Sequence, residues 1–349
     1  MDKLLSIIIP TYNMEEYLSK CLNSLLVTTL LDSLEIIIVN DGSKDNSLSI
    51  AYTFKNKYPE SFIIIDKSNG NYGSCINSAL KIATGKYVKI LDADDSFNTN
   101  NFNSLLNILG SIDVDLILSD YIQIDETGNE IQHFSYNIPT RRTLNFTDYC
   151  TDPILSNKIA MHAVTYKRKN LIDLGYIQSE GISYTDEEWI FMPMSTVNTV
   201  YYLNIPIYKY LIGRPGQTVN PQIALRNINH TIIGIKAMLK EYLSKDNYSE
   251  QTNSYLNHRL KKRIISIYRS YLLEKNELDI SDLFAFDTYI KETCPSIYLQ
   301  IGNTYFYKYI PFKFISHWRK KQYVNKLFIS NIWDFFRNCK TIIRNTFNL

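Results

Sequence analysis

The chain has 349 residues, 45% apolar and 21% charged, a globular composition with room for about two domains and a core that needs no disulfide or metal staple. Its 37 basic and 35 acidic residues leave a net charge of +2, which argues against a nucleic-acid binder, and 12 Gly and 10 Pro exclude collagen-like and Pro/Gly-rich disordered classes. The five cysteines (Cys21, Cys75, Cys150, Cys294, Cys339) are scattered and form no Cys-x-x-Cys pair, so neither a zinc knuckle nor a secreted disulfide framework is expected and a reducing cytosol fits.

Residues 1–118 read as alternating strands and helices. Short, β-branched apolar runs at 4–10, 35–40, 62–66, 86–92 and 114–120 suit strands covered on both faces. The run Leu4–Ile9 is too short for a signal peptide, and no stretch approaches the ~18 apolar residues of a bilayer span. One helix is expected from Glu15–Glu16, with Tyr17, Cys21, Leu22 and Leu25 on one face. A second follows Asp45, an N-cap candidate, with Leu48, Ala51, Tyr52 and Lys55 in register, and a third runs from Gly73 to Ala83. Repeated βα units predict the α/β class: a doubly wound, mostly parallel sheet flanked by helices, with ligands at the carboxyl ends of its strands.

Those ends are polar. They read Pro10-Thr11-Tyr12-Asn13, Asn40-Asp41-Gly42-Ser43-Lys44-Asp45, Asn69-Gly70-Asn71-Tyr72-Gly73 and Asp92-Ala93-Asp94-Asp95. In a turn, carboxylates two residues apart can converge on one cation, and carboxylate oxygen suits hard Mg²⁺ or Mn²⁺, which bridge nucleotide phosphates. The plainer reading is a turn in which Asp95 caps a helix starting near Asn98. Asp41 can accept a hydrogen bond from a base N–H or a ribose hydroxyl, with Gly42 letting the backbone approach. Neither G-x-G-x-x-G nor G-x-x-x-x-G-K-[ST] occurs, so dinucleotide and P-loop sites lack their phosphate cradles.

Taken in order, SIIIPTYN, IIIVNDGSKDNS, the stretch containing Gly70, Gly73 and Asn77, and ATGKYVKILDADD resemble the N-terminal half of family 2 glycosyltransferases over residues 4–120. The resemblance implies a GT-A-type fold and a nucleotide-sugar donor, with uridine the expected base. It implies that Pro10, Thr11, Tyr12, Asn13 and Asp41 line the nucleoside pocket with Gly70, Gly73 and Asn77. Asp92 and Ala93 then lie on the nucleotide side, Asp94 holds the divalent metal (Mn²⁺ or Mg²⁺), and Asp95 meets the acceptor or serves as a cap. Ile76 stands where many relatives have Arg.

Further along, Thr185-Asp186-Glu187-Glu188-Trp189 matches the block in which the family carries its general base; Asp186 is the matching position and Glu187 the runner-up, beside the plainer reading that Thr185 or Asp186 caps a helix. A carboxylate base suits an inverting transfer. Tyr208-Lys209-Tyr210 and the following Gly213-Arg214-Pro215-Gly216-Gln217 resemble a loop that closes over the donor, with Arg214 on the diphosphate. His162 and Trp189 are candidate acceptor contacts, against the alternative that both belong to the core. Two other readings compete with single-sugar transfer. Sugar-phosphate nucleotidyl transfer lacks its Gly-rich basic loop after the first strand, and a non-catalytic carbohydrate- or partner-binding relative would not need Asp41, Asp92, Asp94 and Asp186 together.

Residues 1–220 are thus expected to form the catalytic domain (1–120 for the donor, 121–220 for the acceptor) and 221–304 a helical region that completes the acceptor cleft or meets a second copy of the chain. Residues 1–304 carry 28 basic and 34 acidic side chains, whereas 305–349 carry nine basic and one acidic, a net of +8, with thirteen aromatics. Basic residues interleaved with Trp, Tyr and Phe suit an anionic bilayer surface, so the protein is expected in the cytoplasm, peripheral at the inner face of the membrane, where a glycan or lipid-linked acceptor would be met.

Overall fold

A computed structural model of the chain describes residues 2–27, 30–214, 216–217, 220–245, 247–274, 276–306 and 312–323. Among them the strands are β1 (Leu5–Thr11), β2 (Leu34–Asn40), β3 (Phe62–Asp66), β4 (Tyr87–Ile90), β5 (Ser96–Phe97), β6 (Leu116–Ile124), β7 (Glu130–Phe134), β8 (Thr143–Asn145), β9 (Val164–Lys167) and β10 (Thr199–Leu211). They form one sheet in the order β3-β2-β1-β4-β9-β6-β10-β5, with β7 on β6 and β8 on β10. β3, β2, β1 and β4 run parallel, as does the pair β6 and β10, while β9 is antiparallel to both β4 and β6. This is the mostly parallel α/β sheet that the unbroken apolar runs predict. Every residue of β2 is buried and all of β1 but Pro10, as expected of strands covered on both faces.

Helices α1 (Leu18–Asn23), α2 (Ser47–Lys57), α3 (Asn71–Leu80), α4 (Thr99–Leu109), α5 (Pro153–Lys158), α6 (Arg168–Leu174) and α7 (Asp186–Trp189) accompany the sheet. Register aligns the functional ends: Thr11 pairs with Asn40 and Asn40 with Asp66, so the loops after β1, β2 and β3 emerge side by side. The α4 cap is Asn98, whose side chain accepts from the Asn101 N–H, and not Asp95.

The chain divides into two compact units. The first comprises Met1–Thr218 and Lys240–Leu256 and holds the whole sheet. The second comprises Val219–Leu239 and Asn257–Leu349, and its described part is helical. The helical expectation for 222–293 appears as α8 (Pro221–Arg226), α9 (Ile228–Leu243), α10 (Glu250–Leu272) and α11 (Ile280–Thr293), followed by α12 (Pro295–Gly302) and α13 (Phe314–Lys321).

The basic aromatic segment is described at 305–306 and 312–323; the rest of it, including Trp333 and the basic residues from Lys326 onward, lies outside the described residues. Within the described part Phe306, Phe314 and Trp318 are buried, so these aromatics belong to the fold of the second unit and not to an exposed interfacial surface. Arg319 donates to Asp287 Oδ1 (2.8 Å) and lies 3.5 Å from the Tyr298 ring centroid, which ties α13 down. Tyr305, Lys320, Lys321 and Tyr323 remain exposed. Among the described residues no helix is long and apolar enough to cross a membrane.

Candidate active site

The loops after β1 and β2 brace each other. Asn13 takes a left-handed conformation (φ 52°), which Asn tolerates better than most residues. Its side-chain oxygen accepts from the Lys44 N–H (2.8 Å), and its own N–H donates to Ser43 Oγ (3.1 Å). Asp45 accepts from the Glu15 N–H (2.9 Å), and Glu15 accepts in turn from the Asn46 N–H (2.9 Å). Thr11 is buried, with its hydroxyl spent on the Ile9 carbonyl, and Pro10 is half-buried beside it. Tyr12, 47% exposed, presents its ring to solvent at the mouth of these loops.

Asp41 is buried, and its Oδ1 accepts from Lys67 Nζ (2.5 Å) and the Gly70 N–H (2.9 Å). Lys67 also donates to Ser74 Oγ (2.8 Å). A lysine one residue beyond β3 therefore fixes the carboxylate expected to read the nucleoside. Its position at a strand end was a signal, but its partner lies 26 residues away in sequence.

The segment after β4 carries the acids. Leu91 N–H still bonds to the Ile8 carbonyl (2.9 Å), so Asp92 leaves the sheet beside the end of β1. Asp92 Oδ1 accepts from the Tyr72 hydroxyl (2.7 Å). Ala93 is buried. Asp94 Oδ2 accepts from Arg214 Nε at 2.5 Å, an ion pair with both side chains largely shielded. Asp95 is buried, and both its oxygens are committed to β10, one to the Tyr208 hydroxyl (2.7 Å) and one to the Leu211 N–H (2.7 Å). Asp95 thus clamps the acidic loop to β10.

Across the cluster, the His162 ring stacks on Tyr210 (centroids 4.3 Å apart) and meets Tyr208 edge-on (4.7 Å). Its Nδ1 is buried without a hydrogen-bond partner, and donor atoms of Asp92, Asp95 and His162 all lie within 4.8 Å of one another. Fully buried Lys89 donates to the His162 (2.8 Å) and Val164 (3.1 Å) carbonyls and holds this turn against β4. Burial pulls the Lys89 ammonium down to about 7. Burial, with Lys89 adding to it, pulls His162 down to about 3, so the imidazole is neutral.

Asp186 opens α7, and its charge is felt at Asp92, Tyr72 and Tyr210. Asp92 is pushed up to about 7, first by burial and then by the Asp94 and Asp186 carboxylates, with the Tyr72 hydroxyl and Arg214 opposing. The structure therefore gathers Asp92, Asp94, Asp186 and Arg214 around one locus from three separate stretches of chain.

Three expected site residues do other work. Gly73 is packed so tightly that an added Cβ would fall 2.0 Å from the Ser179 carbonyl oxygen. The Asn77 amide spends both its donors and its acceptor on the same strip of chain: Nδ2 donates to Gln178 O (2.8 Å) and Glu180 Oε1 (2.8 Å), and Oδ1 accepts from the Gln178 N–H (2.9 Å). Both residues dock the 178–181 segment onto α3 instead of facing a nucleotide. Buried Gln178 then reaches forward to Thr185, donating to its carbonyl (2.9 Å) and hydroxyl (2.8 Å), which sets the start of α7 and Asp186. Trp189 is fully buried between Tyr166 and Tyr176, a core residue that no sugar reaches.

The donor set suits a hard divalent cation. Asp94 already holds a cationic group, carboxylate oxygens dominate the locus, and neutral His162 adds a nitrogen with a free lone pair or N–H.

Comparison with known proteins agrees with this architecture. The sequence model described as Glycosyl transferase family 2 matches residues 6–170. The uncharacterized glycosyltransferase YibD of Escherichia coli (strain K12) is 30% identical over 262 residues, covering 72% of this chain and 74% of YibD. The minor teichoic acid biosynthesis protein GgaB of Bacillus subtilis (strain 168) is 37% identical over 103 residues, 29% of this chain and 11% of GgaB. The crystal structure of S. aureus TarS in complex with UDP-GlcNAc superposes with a TM-score of 0.65 at 19% identity, covering 84% of this chain and 82% of that one. With its mostly parallel sheet, its acidic loop after β4 and these matches, the chain belongs to glycosyltransferase family 2 and has the GT-A-type fold.

Proposed function

We propose that the protein is an inverting, metal-dependent glycosyltransferase that moves a single sugar from a nucleotide-sugar, a UDP-sugar, to a hydroxyl of a glycan, glycolipid or glycoprotein acceptor during assembly of a bacterial surface polymer. The observation that carries this reading is the convergence of Asp92, Asp94 and Arg214 with the Asp186 carboxylate beside the Asp41 loop. The UDP-GlcNAc bound by TarS supports the choice of uridine, and the teichoic acid role in GgaB's name supports a surface-polymer acceptor.

Asp41, held by Lys67, orients the nucleoside. Asp94, with Asp92 and His162 at hand, would hold Mn²⁺ or Mg²⁺, whose charge stabilises a departing diphosphate. Asp186 takes the proton of the acceptor hydroxyl as its oxygen attacks the anomeric carbon. The bond from that carbon to the diphosphate oxygen breaks, and the electron pair leaves with the diphosphate towards Arg214. Residues 324–349, basic and aromatic in sequence, are proposed to hold the enzyme at an anionic bilayer, where a lipid-linked acceptor is met. The test is release of nucleoside diphosphate from a panel of UDP-, GDP- and CDP-linked sugars with Mn²⁺ and with chelator. Turnover of a UDP-sugar with Mn²⁺ only is expected, and equal turnover in chelator would refute metal dependence.

A further inference from the structure

Arg214 and Asp94 were expected on the same bound donor, one on the diphosphate and the other on the metal. Instead they hold each other, Nε to Oδ2 at 2.5 Å, with the side chains only 15% and 12% exposed. The arrangement is built rather than incidental. Gln217 closes the loop across Arg214, accepting from the Gly213 N–H (2.9 Å) and donating to the Leu211 carbonyl (2.6 Å), while its own side chain is buried. The guanidinium also lies over the Tyr17 ring, 5.5 Å from its centroid. Arg214 is thus held on the carboxylate that a divalent cation would need, and the two positive charges compete for the same oxygen. A shielded carboxylate can be partnered by either but gains little from both, since the cations repel at that range.

We propose that Arg214 is the counter-ion that couples the two ligands of this site: it neutralises Asp94 until a nucleoside diphosphate arrives, then passes to the diphosphate and leaves Asp94 to the divalent cation. The inference rests on the reading that Asp94 is the cation ligand and that the donor carries a diphosphate. Cation alone binds weakly because it must displace Arg214. Cation and diphosphate bind with mutual reinforcement, by the same factor in either order. Removing Arg214 improves the first binding event while harming the second.

Calorimetric titration of the full chain tests this with MnCl₂ alone, UDP alone and UDP in saturating Mn²⁺, on wild type, Arg214→Gln, Arg214→Lys and Asp94→Asn. Arg214→Gln is expected to bind Mn²⁺ alone roughly tenfold tighter than wild type and UDP in Mn²⁺ roughly tenfold weaker, within the usual range of coupling between sites. Arg214→Lys, which keeps a cation, should stay near wild type in both titrations and guards against a misfolded glutamine variant. Asp94→Asn should lose Mn²⁺ binding, which places the cation at that carboxylate. Unchanged or weaker Mn²⁺ binding by Arg214→Gln, or no Mn²⁺ binding by either protein, overturns the proposal. Failure of the donor reading looks different: Mn²⁺ still tightens in Arg214→Gln, yet no protein binds UDP, and the hand-over to a diphosphate is then refuted.

Discussion

Asn77 is the residue at which the expected and the observed role separate most sharply, and Asn77→Ala tests which is right. The substitution removes three hydrogen bonds and leaves the N–H and carbonyl of fully buried Gln178 without partners. Glu180, which is exposed, recovers its lost bond from water. Two orphaned backbone groups at about 1–3 kcal/mol each put the cost at about 2–6 kcal/mol. The loss falls on the strip that leads through Gln178 to Thr185 and Asp186, and not on the Asp41 loop. Urea unfolding of wild type and variant measures the first consequence, and UDP titration with Mn²⁺ measures the second. The expected result is a destabilisation of that size, a fall in turnover from the displaced α7, and UDP affinity within about threefold of wild type, as for a change remote from the nucleotide. Unaltered stability with lost UDP binding would refute the docking role and restore Asn77 to the donor pocket.

Asp186→Asn keeps the shape of the side chain and removes its basicity, so donor affinity should survive while turnover falls by roughly 10²–10⁴; parallel loss of donor binding would make Asp186 a binding residue. Lys89, held at about 7 by burial, binds fewer protons in the folded than in the unfolded chain between that value and the ordinary lysine value of 10.5, so it makes stability rise with pH across this window. Urea unfolding at pH 7 and pH 9.5 should therefore show wild type gaining more, or losing less, than Lys89→Met on going to the higher pH, and an equal change in both proteins would refute a buried titrating lysine. For the membrane surface, a chain ending at residue 323 keeps α13 with its buried Phe314 and Trp318, which a cut at 304 would remove. The shortened chain should sediment less than the full chain with phosphatidylserine-containing vesicles and neither should sediment with neutral ones, whereas equal binding to both lipids, or no loss on shortening, would discard the proposal.

The strand ends were legible because their signal is local. An unbroken β-branched run followed by Asp-Gly-Ser or Asp-Ala-Asp-Asp states both the strand and the place where polar groups must face a ligand. What stayed hidden depends on partners far apart in sequence. Asn77 meets Gln178 across 101 residues and Asp95 meets Tyr208 across 113, and no spacing rule announces either bond. Gly73 looked like part of a cradle for a ligand, whereas the backbone it admits is the chain's own Ser179. Trp189 was ambiguous on its helix, and burial against Tyr166 and Tyr176 resolves it. In the same way Arg319 appeared as one charge in a basic tail, although Asp287, 32 residues earlier, neutralises it within the second unit.

The central claim is transfer from a nucleotide-sugar with inversion, driven by Asp186, and the anomeric outcome addresses all of it in one measurement. With Mn²⁺ and an α-linked UDP-sugar that the panel shows to be consumed, proton NMR of the freed sugar, recorded before mutarotation, reads which face of the anomeric carbon water attacked. The β-anomer is expected first, with the signal suppressed in Asp186→Asn. The α-anomer appearing first, or an undiminished rate in Asp186→Asn, would contradict it.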